Sequence, residues 1–306
     1  MRLAKPAEAR PSPRRAVPAS VVPTTMLAAA CFLAACLLVA CLVVAMPRAL
    51  AQVPAPPGAA TGGPVPVDVE LVLAVDVSWS MDADEQALQR AGYVAAFRDP
   101  EVQAVIAGGL HGRIAVTFYE WAGTGLIDVI APWTPVGSAE DAERFAAQLA
   151  GDAPGRMSRT SISGAIDAGV RAFEGNGFRG LRRVIDVSGD GPNNQGRPVT
   201  HARDAAAATG VTVNGLALIL KPYDPRFGVR ELDLYYEDCV IGGPGAFVIT
   251  VREPDGFADA IKRKLILEIA GAPARLRRAQ ATGRPAPRID CLIGEKLWRD
   301  RIREPF

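Results

Sequence analysis

From Glu70 onward, short apolar runs alternate with stretches in which apolar positions recur every three or four residues. The runs are 70–77 (ELVLAVDV), 112–121 (GRIAVTFYEW), 125–133 (GLIDVIAPW), 182–190 (RRVIDVSGD), 211–220 (VTVNGLALIL) and 246–251 (AFVITV). The first, fourth and fifth are almost continuously apolar or β-branched, the pattern of strands covered on both faces. AGTG between the second and third predicts a hairpin, and so one antiparallel strand in the sheet. Helical spacing falls between the runs. Asp82 with Glu85 three residues on is a variant capping box opening a helix over 83–98, where Leu88, Ala91 and Ala95 share a face. Ile162, Ile166, Val170 and Phe173 form a second apolar stripe, beginning just after Thr160. Further helices are predicted over 138–150, 198–209, 228–237 and 255–270. Strands alternating with helices predict an α/β fold, a doubly wound sheet of six mainly parallel strands with no internal repeat.

The alternation fails at both ends of the chain. Arg2, Lys5, Arg10, Arg14 and Arg15 precede an apolar run from Met26 to Met46, and Ala49-Leu50-Ala51 then has the small-x-small form of a signal-peptidase site. Residues 1–51 are therefore expected to be an export signal, which places the rest in the periplasm or outside the cell. Two other readings stay open. The run is long enough to span a bilayer as a retained tether through residues 26–46, and LAAC (33–36) and LVAC (38–41) look like lipoprotein cleavage boxes. Residues 52–67 are rich in Pro, Gly and Ala and carry no charge, as expected of a linker. The folded domain is expected over 68–271, followed by a basic, largely irregular tail over 272–306 with a short helix near Lys296 to Arg301.

Composition adds little to this. The chain of 306 residues is 49% hydrophobic and 22% charged with a net charge of +1, ordinary for a globular protein. Because the leader is basic, the remainder is slightly acidic, which argues against a nucleic-acid partner. Cys31, Cys36 and Cys41 lie in the leader, so an exported product keeps Cys239 and Cys291, a candidate disulfide in an oxidising compartment. Sequence leaves open whether their Cα atoms come within bridging range.

In doubly wound sheets ligands bind beyond the carboxyl ends of the strands. Three polar clusters project there: Asp76, Ser78 and Ser80 after the first strand, Asp190 after the fourth, and Thr160 before a helix. Two carboxylates and three hydroxyls, with no thiol or imidazole, select a hard divalent cation, Mg2+ first and Ca2+ or Mn2+ otherwise. Mg2+ takes about six oxygens and retains water, so this donor set leaves a coordination position open to an acidic group from outside.

These segments resemble the metal-ion-dependent adhesion site of von Willebrand factor type A domains. DVSWS (76–80) matches the family's Asp-x-Ser-x-Ser, Thr160 stands in RTSISGAI, and SGDG (188–191) departs from the commoner Thr-Asp-Gly by Gly189. The stretches LQRAGYVAAFRDPEV, GLHGRIAVTFYEWAG, VIDVSGDGPNN and VIGGPGAFVI are similar to a branch of exported bacterial proteins of unknown function, over about Val67 to Gly271. The resemblance implies a Rossmann-like six-stranded sheet with helices on both faces. It also implies direct ligation by Ser78, Ser80 and Thr160, with Asp76 and Asp190 bound directly or through water, and it implies no reaction.

Asp82 and Asp84 are explained by capping and the helix dipole without a metal. Trp79 is either a candidate rim contact for a partner or packed under a neighbouring loop, and Asn193 and Asn194, in a turn-rich loop, are candidate donors to a bound acidic group. Asp186 either faces the site or pairs with Arg182 or Arg183. No catalytic residue is assigned. The two histidines lie away from the cluster, His111 at the opposite end of the sheet and His201 on a helix, and neither a nucleophile elbow nor a phosphate loop is present. The expectation is a non-catalytic, metal-dependent binding domain that engages an acidic side chain of a protein partner. The alternatives are a metal-dependent phosphohydrolase and a structural envelope protein with a non-functional metal site.

Overall fold

The sheet contains β1 (Val65–Asp76), β2 (Ile114–Trp121), β3 (Ile127–Val136), β4 (Phe178–Gly189), β5 (Val211–Leu218) and β6 (Val248–Val251), in spatial order β3-β2-β1-β4-β5-β6. β1 runs parallel to β2 and β4, β4 to β5 and β5 to β6, while β3 returns antiparallel to β2 at the edge. A computed structural model describes residues 63–151, 157–225, 228–271 and 286–303. The predicted leader, with its run from Met26 to Met46, lies outside the described residues. Among the described residues no helix is long and apolar enough to cross a membrane.

Helices α1 (Ala83–Arg98), α2 (Pro100–Ala107), α3 (Ala139–Leu149), α4 (Ile162–Ala172), α5 (Val199–Ala208), α6 (Leu232–Tyr235), α7 (Phe257–Ala270) and α8 (Ile293–Arg303) follow in chain order. Side chains of a strand point alternately to its two faces, and β1 divides accordingly. Leu71, Leu73 and Val75 join Phe97, Phe145 and Leu265 in one core, while Val72 and Ala74 join Ile162, Ile166 and Val199 in the other. β1 is thus covered on both sides, which is why its sequence reads as a nearly unbroken apolar run.

Several elements depart from the predicted ones. β1 begins at Val65, inside the stretch read as linker, because Val65, Pro66 and Val67 pair with Phe178, Arg179 and Gly180 of β4; no periodicity announces such pairing. α2 was not predicted, since eight residues are too few to establish a period, although Asp99 capping the Glu101 amide and Pro100 in the first turn are its start signal. The helix expected over 228–237 is confined to Leu232–Tyr235 and continues as a π turn over Tyr236–Val240.

Cys239, in that π turn, is disulfide-bonded to Cys291, and Arg288 pairs with Asp238 and Glu237. These links place α8 against the body. On the opposite face of the sheet, Asp186 of β4 lies 2.8 Å from the ammonium of Lys264, which also donates to Glu268 at 2.7 Å. Tyr93 donates to Asp186 and Asn214 to Glu268. All three charged groups are buried. Asp186 therefore pairs with Lys264 rather than with Arg182 or Arg183. Burial, and then the neighbouring Asp186 charge, push the Glu268 carboxyl up to about 7.

Candidate metal site

The chain leaves β1 toward β2 and β3 on one side and later returns to build β4, β5 and β6 on the other. The carboxyl ends of β1 and β4 therefore flank the point where strand order reverses, the crevice in which doubly wound sheets bind ligands. Asp76 is the last residue of β1, and Asp190 follows the last residue of β4. Beyond Asp76 the chain turns on a short local bond, the Ser78 amide donating to Asp76 Oδ1 at 2.7 Å, as aspartates at turns commonly do. That turn brings the Ser78 and Ser80 hydroxyls to 3.1 Å of each other. Ser80 donates to Asp190 Oδ1 at 2.6 Å, and Thr160 donates to Ser78 Oγ at 3.3 Å. The five oxygen-bearing residues marked in the sequence are thus joined in one cluster.

Backbone bonds to both neighbouring loops place Thr160. The Met157 amide donates to the Val77 carbonyl at 3.1 Å. The Thr160 amide donates to Asn194 Oδ1 at 3.0 Å, and the Asn194 amide donates back to the Thr160 carbonyl at 2.9 Å. Ser161 then caps α4 by accepting from the Gly164 amide. Arg159, just before Thr160, has φ of 74°, a strained conformation for a residue with a long side chain. Its guanidinium lies over the Trp298 ring of α8.

Asn193 was expected at the partner face, yet it is buried and its side chain is fully engaged. Its oxygen accepts from the Ser163 amide at 3.0 Å, while its nitrogen donates to Glu295 of α8 at 2.7 Å and to the Arg197 carbonyl at 3.3 Å. Asn194 is half-buried with its oxygen taken by Thr160. Both asparagines brace the Thr160 loop. Trp79, by contrast, is 69% exposed beside the cluster.

Asp76 is fully buried, and its second oxygen, Oδ2, has no hydrogen-bond partner. Burial, followed by the nearby Asp190 charge, holds its carboxyl well above the usual carboxylate range. Asp190 is pushed up to about 6, chiefly by burial. A buried carboxylate oxygen without a partner is costly unless a cation or proton satisfies it. Gly189 contributes to this cradle: a Cβ there would stand 2.8 Å from Asp76 Oδ2 and 2.8 Å from the Tyr236 hydroxyl, which also lacks a partner. The unusual glycine before Asp190 therefore leaves space beside the carboxylate that a larger residue would fill. Among the described residues, no three or more His, Cys, Asp and Glu side chains are grouped to hold a metal. The cluster's donors are two carboxylates and three hydroxyls, a set that fits a hard divalent cation.

Asp82 accepts from the Glu85 amide at 3.0 Å and Glu85 from the Asp82 amide at 2.9 Å, a complete capping box at the start of α1. Lys221, just past β5, was not singled out in the sequence. Its ammonium contacts Glu85, lies 3.1 Å from Asp82 and donates to the Ser80 carbonyl at 2.5 Å, so it fixes the serine loop. The only hint was a cation at the carboxyl end of a strand. The His111 amide is bonded to Asp68, near the amino end of β1 and far from the cluster.

The chain belongs to the family described as "Protein of unknown function (DUF1194)", whose model matches residues 66–273. None of the curated proteins matches the chain. Its fold is similar to solved structures at low identity. Proximal thread matrix protein 1 from the mussel byssus is 16% identical, with a TM-score of 0.46 over 68% of this chain and 49% of that one. The pilus adhesin SpaC from Lactobacillus rhamnosus GG is 14% identical, with a TM-score of 0.48 over 68% and 30%. A von Willebrand factor type A protein from Catenulispora acidiphila is 14% identical, with a TM-score of 0.45 over 66% and 43%. The chain thus spans about half the length of the mussel protein, and less of the other two.

Proposed function

We propose that this member of the family is a non-catalytic, exported binding domain that uses a divalent cation to capture an acidic side chain of a protein partner. One observation carries the reading. Asp76, Ser78, Ser80, Thr160 and Asp190 are joined in a single cluster at the switch point, and one buried carboxylate oxygen there has no protein partner.

Ser78, Ser80 and Thr160 would hold the ion directly, and Asp76 and Asp190 directly or through water. Mg2+ suits the all-oxygen set best, with Ca2+ and Mn2+ the other candidates. When bound, the ion supplies an electrophilic point with a coordination position left for an acidic oxygen. The chain's own residues orient that point. Asn194 fixes Thr160, Lys221 fixes the carbonyl of Ser80, and Trp79 offers an aromatic contact at the rim.

The test is retention of proteins from a bacterial envelope extract on the immobilised chain, with Mg2+ or with chelator. Retention that requires Mg2+ and disappears in Asp76→Ala supports the reading. Retention indifferent to both opposes it. Hydrolysis of generic phosphoesters that vanished in Asp76→Ala or Asp190→Ala would make the protein an enzyme instead.

A further inference from the structure

Beside the hydroxyl cluster the surface opens into a cleft of about 510 Å3. Trp79, Ser80 and Asp190 form one wall, and the chain leaving β5 forms the other, where Leu220, Tyr223 and Val229 face in. Ser80 and Asp190 belong both to the cleft and to the metal cluster. A group that reaches the cation therefore enters beside this space. The volume lies within the range of ligand-binding pockets and is far larger than a carboxylate alone requires. Its lining is mainly apolar. Two large aromatic side chains stand at its margins with much of their surface in solvent, Trp79 at 69% and Tyr223 at 42% exposure. Exposed apolar surface gathered around a concave site marks a place of contact.

Charge supplies the rest of the pattern. Asp190 would be balanced by the cation, and Glu85 is already paired with Lys221. Arg230 stacks over the Tyr223 ring at 4.5 Å on the far wall. Asp224 lines that same side, so with the ion in place the cleft is an apolar slot whose positive pole lies at the cation, complementary to an acidic group carried on an apolar body.

We infer that the cleft is a specificity pocket for an extended peptide in which an aspartate or glutamate lies next to bulky apolar residues. The acidic side chain addresses the cation, and its apolar neighbours fill the space between Trp79 and Tyr223. This inference rests on the function proposed above and specifies the partner of the same site.

The test is fluorescence anisotropy of the full chain in Mg2+ with three labelled peptides: Gly-Asp-Leu-Phe-Gly, Gly-Asp-Ser-Ser-Gly and Gly-Asn-Leu-Phe-Gly. The first is expected to bind roughly tenfold or more tighter than the second, as burial of two large apolar side chains implies, and to be lost with the third or with chelator. Tyr223→Ser and Val229→Ser should abolish the preference for the first peptide over the second without changing the Mg2+ titration of the protein. Leu181→Ser, an exposed site near the start of β4, should leave the preference intact. Equal Mg2+-dependent binding of both aspartate peptides overturns the pocket and leaves the metal-dependent function standing. Equal binding of the asparagine peptide, or binding that survives chelator, overturns the coupling of pocket to cation. Failure of every aspartate peptide to bind in Mg2+ overturns both readings.

Discussion

The guanidinium of Arg159 lies 3.6 Å from the centroid of the Trp298 ring, joining the residue before Thr160 to a helix near the end of the chain. Asn193 and Glu295 make a second link between the loops of the candidate site and that helix. Contact there is close, since a Cβ on Gly294 would fall 2.1 Å from the Asn193 carbonyl oxygen. Trp298→Ala is therefore expected to weaken Mg2+ binding by about tenfold, the low end of the roughly 10–100-fold loss seen when groups supporting metal ligands are removed. Calorimetric titration of the variant checks this; unchanged affinity would make the helix irrelevant to the site.

The disulfide between Cys239 and Cys291 closes a segment of 52 residues. Replacing both cysteines with serine should lower unfolding stability by about 2–4 kcal/mol, as loss of a cross-link of this kind does. Denaturant unfolding of the two proteins measures it. A loss below about 1 kcal/mol would mean that the other contacts of the C-terminal helix hold it unaided.

Gly189→Ala would force a methyl group against Asp76 Oδ2 and the Tyr236 hydroxyl. The expected cost is about 1–3 kcal/mol, typical of overpacking. Tyr236→Phe removes one of the two opposing atoms, and so should recover part of that loss in the double variant. Strict additivity in the double-mutant cycle would show that the alanine is opposed by something else.

Glu268 supplies a pH signature. Its folded-state value is about 7 against an ordinary 4.5, so between these values the folded protein binds more protons than the unfolded chain. Its contribution is fully present below pH 4.5 and is lost as pH rises to about 7, giving a downward slope of up to about 1.4 kcal/mol per pH unit. Glu268→Gln keeps an oxygen for Lys264 and Asn214 but removes the titration. Its stability curve should be flatter than that of the unsubstituted protein over this window, and parallel curves would contradict the assignment.

The parts of this protein that were legible in its sequence depend on local pattern. β1 and β4 could be read because strands covered on both faces must be apolar throughout, and the positions of Asp76 and Asp190 followed from where those runs stop. The hairpin of β2 and β3 followed from a short glycine-containing turn. What escaped depends on distant partners. Glu268 stands one helical turn beyond Lys264, but nothing near that pair reveals that the folded sheet brings Asp186 to it. Asn193 looked like a loop donor because nothing near it reveals that α8 will cover it. Tyr236 and Gly189 are 47 positions apart, so the space they share beside Asp76 could not be anticipated. The cleft was equally hidden, since its walls come from the ends of β1, β4 and β5.

Calorimetric titration of the full chain with Mg2+, alongside Asp76→Ala and Asp190→Ala, tests the central claim most directly. The account predicts one saturable site per chain that either substitution removes, with the folded signal by circular dichroism retained. Equal Mg2+ binding by both variants and the unsubstituted protein would contradict it.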